Sequence, residues 1–112
     1  MHRLLLAVAC VLVCALTAVS NVQAEEQRTT DSTKRAICVA FGRWCSQALR
    51  VSWCESRWSI WARNGQYLGL FQMGSYARAR YGHSYTAYGQ ANSAFRYFVS
   101  SGYDWSPWSC KP

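Results

Sequence analysis

A chain of 112 residues is one domain at most, so a multidomain machine is excluded. Its 12 Lys and Arg against 5 Asp and Glu give a net charge of +7 at pH 7. Such a surface suits an anionic partner (nucleic acid, membrane or an acidic cell wall), and it also serves simply to keep an aromatic-rich chain soluble.

Residues 1–24 read as a secretory signal. His2 and Arg3 form a short basic start, Leu4 to Val19 is a nearly unbroken apolar run, and Val22, Gln23 and Ala24 supply a small-residue cleavage site. The run is 16 residues, short of the roughly 20 that span a bilayer, so no stable membrane insertion is expected once the signal is cleaved. Cys10 and Cys14 leave with it. Removal of Arg3 takes the net charge from +7 to +6. Residues 25–34, EEQRTTDSTK, lack apolar side chains and read as a disordered linker. The folded domain is expected over 35–112, where nine Lys and Arg face two acids, Glu55 and Asp104.

Four cysteines remain: Cys38, Cys45, Cys54 and Cys110. In a small exported domain they read as two disulfides, with three connectivities open. On one continuous helix Cys38 and Cys45 would stand about 10.5 Å apart, too far to bridge. Gly42 between them can break that helix, so a local Cys38–Cys45 clip with a long Cys54–Cys110 loop is feasible. No CxxC occurs and His83 is isolated, so neither a metal nor a cofactor is implied.

Ala36 to Phe41 is a short helix candidate stopped by Gly42. Ser46 can cap a second helix running to about Trp58, with Leu49 and Trp53 on one stripe and Val51 and Glu55 on another. Asn64-Gly65 signals a turn, with a short strand from Gln66 to Phe71 behind it. Ser75 to Tyr81 reads as a helix ended by Gly82. Thr86 to Ser101 reads as a longer one, with Tyr88, Ala91, Phe95, Phe98 and Val99 at 3–4 spacing. The tail YDWSPWSC is stiffened by Pro107 and tied by Cys110. The expected fold class is mostly α: a small helical domain with a short β-hairpin, stapled by two disulfides.

Nucleophilic catalysis finds no support, because the cysteines are expected to be paired and the one remaining His sits in a loop. What is left is Glu55 between Trp53 and Trp58. Apolar rings against a carboxyl disfavour its charged form, which suits a glycosidase general acid. A structural salt bridge with Arg50, Arg57 or another base is the alternative.

The strings CES, ARNGQYLGLFQMGS, YGQANSAFRYF and DWSPWSC, across residues 36–111, resemble the small secreted lytic transglycosylase-like domains of bacteria, including the resuscitation-promoting-factor type. These domains belong to the lysozyme-like superfamily. The resemblance implies an α+β lysozyme-like fold and cleavage of peptidoglycan between N-acetylmuramic acid and N-acetylglucosamine. It makes Glu55 the general acid/base. It places Gly69, Leu70, Phe71 and Gln72 in the cleft wall, with Tyr67 beside them and Gln90, Tyr97 and Trp105 as further cleft candidates. It also implies the Cys54–Cys110 pairing. Many relatives have Gly where this chain has Arg57, a side chain that either meets a muramyl-peptide carboxylate or faces water.

A two-carboxylate glycosidase needs a partner acid, and Asp104 is the one other acid of the domain; a turn role in YDWS fits it better. With one Glu, a lytic transglycosylase using the C6 hydroxyl of the sugar is expected. Two alternatives stand beside it: a hydrolase of the same fold, in the manner of goose-type lysozyme, and a non-catalytic cationic wall-binding module. The expected partners are peptidoglycan glycan strands and a partner wall hydrolase. Nucleic acid is not expected, and the protein is expected to be a secreted, wall-associated monomer.

Overall fold

The structure, a computed structural model, describes the backbone of residues 2–112 and the side chains of residues 18–112. The apolar run Leu4 to Val19 falls almost wholly outside the described side chains, as do Cys10 and Cys14. Among the described residues no helix is long and apolar enough to cross a membrane. The chain divides into two compact units, Met1–Asp31 and Ser32–Pro112.

Helix α1 covers His2–Phe41 and takes in residues 25–34, where the sequence predicts an irregular linker. That stretch is polar, yet it holds neither Pro nor Gly. It has its own local support, an Arg28–Glu25 ion pair at 2.7 Å and a Gln27–Asp31 hydrogen bond at 3.0 Å. Missing apolar residues rule out an apolar face, and only Thr33 of the run is buried, but they do not rule out a helix held by i,i+3 and i,i+4 pairs.

In the second unit α1 contributes Ile37 and Phe41 to the core. A 3₁₀ turn at Gly42–Trp44 follows, with Gly42 at φ +54°, where glycine bears no Cβ penalty. This turn brings Cys38 and Cys45 into a disulfide. Helix α2 is Cys45–Ser56, with Trp44 at the capping position and no side-chain cap. Ser46 is therefore not the cap; its Oγ accepts from Arg50 Nη1 at 2.9 Å. The helix stops two residues before Trp58, because Arg57 (φ 55°) and Trp58 (φ 60°) are both left-handed and the Arg57 N–H closes on Trp53 O. Ala48, Ser52 and Ser56 form the buried line of α2. The two serine hydroxyls donate back to Ala48 O and Ser52 O, so no polar atom is left bare there.

Strands β1 (Arg63–Asn64) and β2 (Tyr67–Leu68) pair antiparallel, with Arg63 opposite Leu68 and Asn64 opposite Tyr67. Asn64 thus sits in the strand and Gly65-Gln66 makes the turn. The strand expected from Gln66 to Phe71 ends at Leu68 because Gly69 (φ +79°) reverses the chain. Gln72 N donates to Gly69 O at 3.1 Å, and Leu68 and Met73 exchange backbone hydrogen bonds. This tight loop drives Leu70 and Phe71 inward as core side chains.

Helix α3 is Ser75–Tyr81, ended by Gly82. Helix α4 is Ala87–Ser100, with Thr86 Oγ1 accepting from Gly89 N at its start. Of the stripe expected on α4, Ala91 and Phe98 are fully buried, while Tyr88 is exposed. The core centres on Phe41, whose ring lies 5.2–5.8 Å from those of Phe71, Phe95, Phe98 and Trp105. The tail closes the unit: Trp105 donates to Gln47 Oε1, Trp108 to Phe71 O, and Cys110 is bonded to Cys54. The result is mostly helical with one small hairpin and two disulfides. The disulfides place this unit in an oxidising environment.

Candidate active site

Glu55 stands in the last turn of α2, half-buried, on the wall of a cleft of about 540 Å³. The Cys54–Cys110 bridge lies beside it in the same wall. The bridge sets the carboxylate's contact: Cys110 N–H donates to Glu55 Oε1 at 2.9 Å. Glu55 Oε2 has no hydrogen bond among the described residues, and Glu55 forms no ion pair there. Arg50 is turned to Ser46, and the Arg57 guanidinium lies 4.7 Å over the ring of Trp53. The salt-bridge alternative is thereby excluded, and Arg57 is kept out of the cleft lining.

The tryptophans next to Glu55 in sequence do not line the cleft. Trp53 and Trp58 pack on each other at 4.7 Å, and Lys34 sits over Trp58 at 4.9 Å. The cleft's rings come from elsewhere: Tyr67 of β2, Tyr76 of α3, Tyr97 of α4 and Trp108 of the tail. Tyr76 and Trp108 are not among the residues predicted from sequence, and neither are Asn64 and Gln66 on the hairpin rim. The signal for Trp108 was present in the closing WSPWSC. Tyr76 could be found only from the docking of α3 beside the hairpin.

Of the cleft residues implied by the resemblance, Tyr67, Gln72 and Tyr97 line the cavity with Glu55. Gln72 is held in place by its own amide, which donates to Ala62 O at 3.2 Å and Gly69 O at 3.1 Å. Gly69, Leu70, Phe71, Gln90 and Trp105 are not cleft-lining. Leu70 and Phe71 are core, and Trp105 is buried against Phe41 and Phe98. Gln90, only 5% exposed, is a clamp. Its Oε1 accepts from Leu70 N at 2.8 Å, and its Nε2 donates to Ile60 O and Ser84 O, each at 3.0 Å. Gly69 carries no side chain for a local reason: a Cβ there would meet Gln90 Oε1 at 2.3 Å.

Asp104 makes the turn that its YDWS context predicts, accepting from Ser106 N at 2.8 Å. It lies outside the cleft lining, so Glu55 is the one carboxylate of residues 32–112 in that wall. A single acid, with one oxygen held and one unengaged, can give a proton and take it back. It cannot by itself supply the paired carboxylates of a two-acid glycosidase.

Comparison with protein-family models, with curated proteins and with solved structures finds no match for this chain.

Proposed function

We propose that the protein is a secreted peptidoglycan lytic transglycosylase in which Glu55 is both acid and base. The observation that carries this reading is the isolation of Glu55. Among the described residues it is the one carboxylate in the wall of an open cleft, unpaired with any cation, with Oε1 tied to the Cys110 backbone and Oε2 unengaged. The cleft rings Tyr67, Tyr76, Tyr97 and Trp108 support a carbohydrate substrate, because they offer flat faces with polar edges.

The chemistry follows from the acid count. Protonated Glu55 gives its proton to the glycosidic oxygen as the bond from muramic C1 breaks, and the N-acetyl group stabilises the positive centre. The Glu55 carboxylate then takes the proton from the same sugar's C6 hydroxyl, whose oxygen closes on C1 as a 1,6-anhydro ring. The nucleophile is part of the substrate, so no second carboxylate is needed to hold a water.

A non-catalytic wall-binding module has one observation in its favour. None of the Lys and Arg side chains of residues 32–112 forms an ion pair among the described residues, so their charge is open to an anionic wall. Muropeptide mass spectrometry separates the readings. The native chain and Glu55→Gln are incubated with purified peptidoglycan. Anhydro-muramyl ends released by the native chain alone are expected. Reducing ends would make water the nucleophile, and wall binding without release from either chain would leave the module.

A further inference from the structure

Trp61 and Tyr85 are among the large rings that belong to neither cleft nor core. Trp61 is 70% exposed and Tyr85 61% exposed. They nevertheless stack on each other nearly parallel, 5.3 Å apart and 16° from coplanar. His83 and Tyr85 meet edge to face, 5.0 Å apart and at 85°. Water-facing apolar rings held in one arrangement call for a use, because the exposure itself stabilises nothing.

Their backbones are organised by one buried side chain. The Gln90 amide donates to the carbonyls of Ile60 and Ser84, the residues immediately before Trp61 and Tyr85. The Trp61 N–H in turn donates to Ser59 Oγ at 3.2 Å. The rings are therefore presented, not trailing. The open face of Trp61 is also free of cations. Trp44, Trp53 and Trp58 each carry an Arg or Lys over the ring, whereas Trp61 has no such contact among the described residues.

We propose that Trp61, braced by Tyr85, is a binding platform for an N-acetylhexosamine residue of a β-linked glycan, outside the cleft that holds Glu55. The proposal rests on the glycan reading above. The fit is chemical: Tyr85 backs one face of the indole and leaves the other for the flat C–H face of a pyranose. Because the ring plane is set in advance, little side-chain freedom is lost on binding. The platform is also within reach of the cleft. Asn64 lines the cleft and follows Trp61 by three residues, so their Cα atoms are at most about 11 Å apart. A glycan strand leaving the cleft on the Asn64 side would come within reach of Trp61.

The test uses the chain carrying Glu55→Gln, so that sugar is bound and not cut, titrated with a soluble N-acetylglucosamine oligomer and followed by NMR. The Trp61 indole N–H signal is expected to shift with saturation. Adding Trp61→Ala is expected to weaken binding about tenfold, as loss of one ring-stacking contact does, and Trp61→Phe to restore most of it. Melting temperature should be nearly unchanged in both, since the ring is largely solvated. Equal affinity with and without Trp61 overturns the platform and leaves the glycan reading standing. Absence of any oligomer binding also overturns the platform; the glycan reading is then judged separately by muropeptide release from the native chain. A stronger response to a single-stranded oligonucleotide than to the sugar oligomer overturns it in favour of a base-stacking surface.

Discussion

Gln90 is the side chain on which the cleft loop and the aromatic pair both depend, and Gln90→Leu removes its polar function while nearly keeping its volume. Three hydrogen bonds are lost. The Leu70 N–H is buried and would be left without an acceptor, which costs about 1–3 kcal/mol. The Ile60 and Ser84 carbonyls are part-buried and water reaches them more easily, so each contributes about 0.5–1 kcal/mol. The sum is about 2–5 kcal/mol, with little cavity term because Leu fills the space. For a folded unit of 81 residues, 32 to 112, a loss of about 3 kcal/mol lowers the melting temperature by about 12–24 °C. Differential scanning calorimetry at neutral pH measures it. Gln90→Glu should destabilise at least as much as Leu at neutral pH, because it keeps the acceptor for Leu70 N but sets a carboxylate oxygen against the Ile60 and Ser84 carbonyls. A Leu variant melting within about 4 °C of the native chain would refute the clamp.

Gly69→Ala should be destabilising by about 1–3 kcal/mol, from the strain of a side chain at φ +79° alone. Because the new Cβ strikes Gln90 Oε1 and Cδ, its penalty should shrink in a Gln90→Ala background, where those atoms are absent. Strict additivity in that double-mutant cycle would mean that the two residues are not coupled. The bridges differ in the length of chain that they close, 56 residues for Cys54–Cys110 and 7 for Cys38–Cys45. Loop entropy gives about 4 kcal/mol for the first and about 2 kcal/mol for the second. Paired Cys→Ser variants in urea titrations should rank in that order, and the reverse order would refute the loop-length account. His83 is held below its ordinary pKa, first by burial and then by the charge of Arg78, and its Nε2 has no hydrogen-bond partner. The unfolded chain therefore takes up the proton first as pH falls. The His83 contribution is present above about pH 6.5 and is lost as acid is added. Melting temperature should drop less between pH 7 and pH 5 in His83→Gln than in the native chain; an equal or steeper drop would sink the assignment.

Local chemistry made much of the second unit legible from residues alone. Gly82 and Gly102 mark helix ends because nothing else bears the backbone there so cheaply. Asn64-Gly65 marks the hairpin, and Gly42 lets the chain bend enough for Cys38 to meet Cys45. The helix Ser75–Tyr81 was expected with the same bounds, and the longer one within a residue at each end. These signals act over three or four residues, so a sequence carries them whole. The polar run 25–34 is the exception: its composition speaks for disorder, and only the side-chain pairs along one helix face speak against it.

Which way each side chain faces was a different matter. Trp53 and Trp58 flank Glu55 in the chain, yet the left-handed residues Arg57 and Trp58 turn that end of α2 so that Trp108, 53 positions on from Glu55, supplies a ring to the cleft instead. Leu70 and Phe71 sit inside a motif that reads as cleft wall, but a four-residue reversal points both into the core, Phe71 against Phe41. Gln90 reads as a polar cleft residue and is a buried clamp, because its three partners come from segments 6 to 30 residues away. The sequence by itself determined most elements of the second unit, the acid that stands at the end of its middle helix and the cysteines available to pair. Only the tertiary structure decided what lines the cleft and what fills the core, since burial depends on contacts between distant segments and no local pattern encodes them.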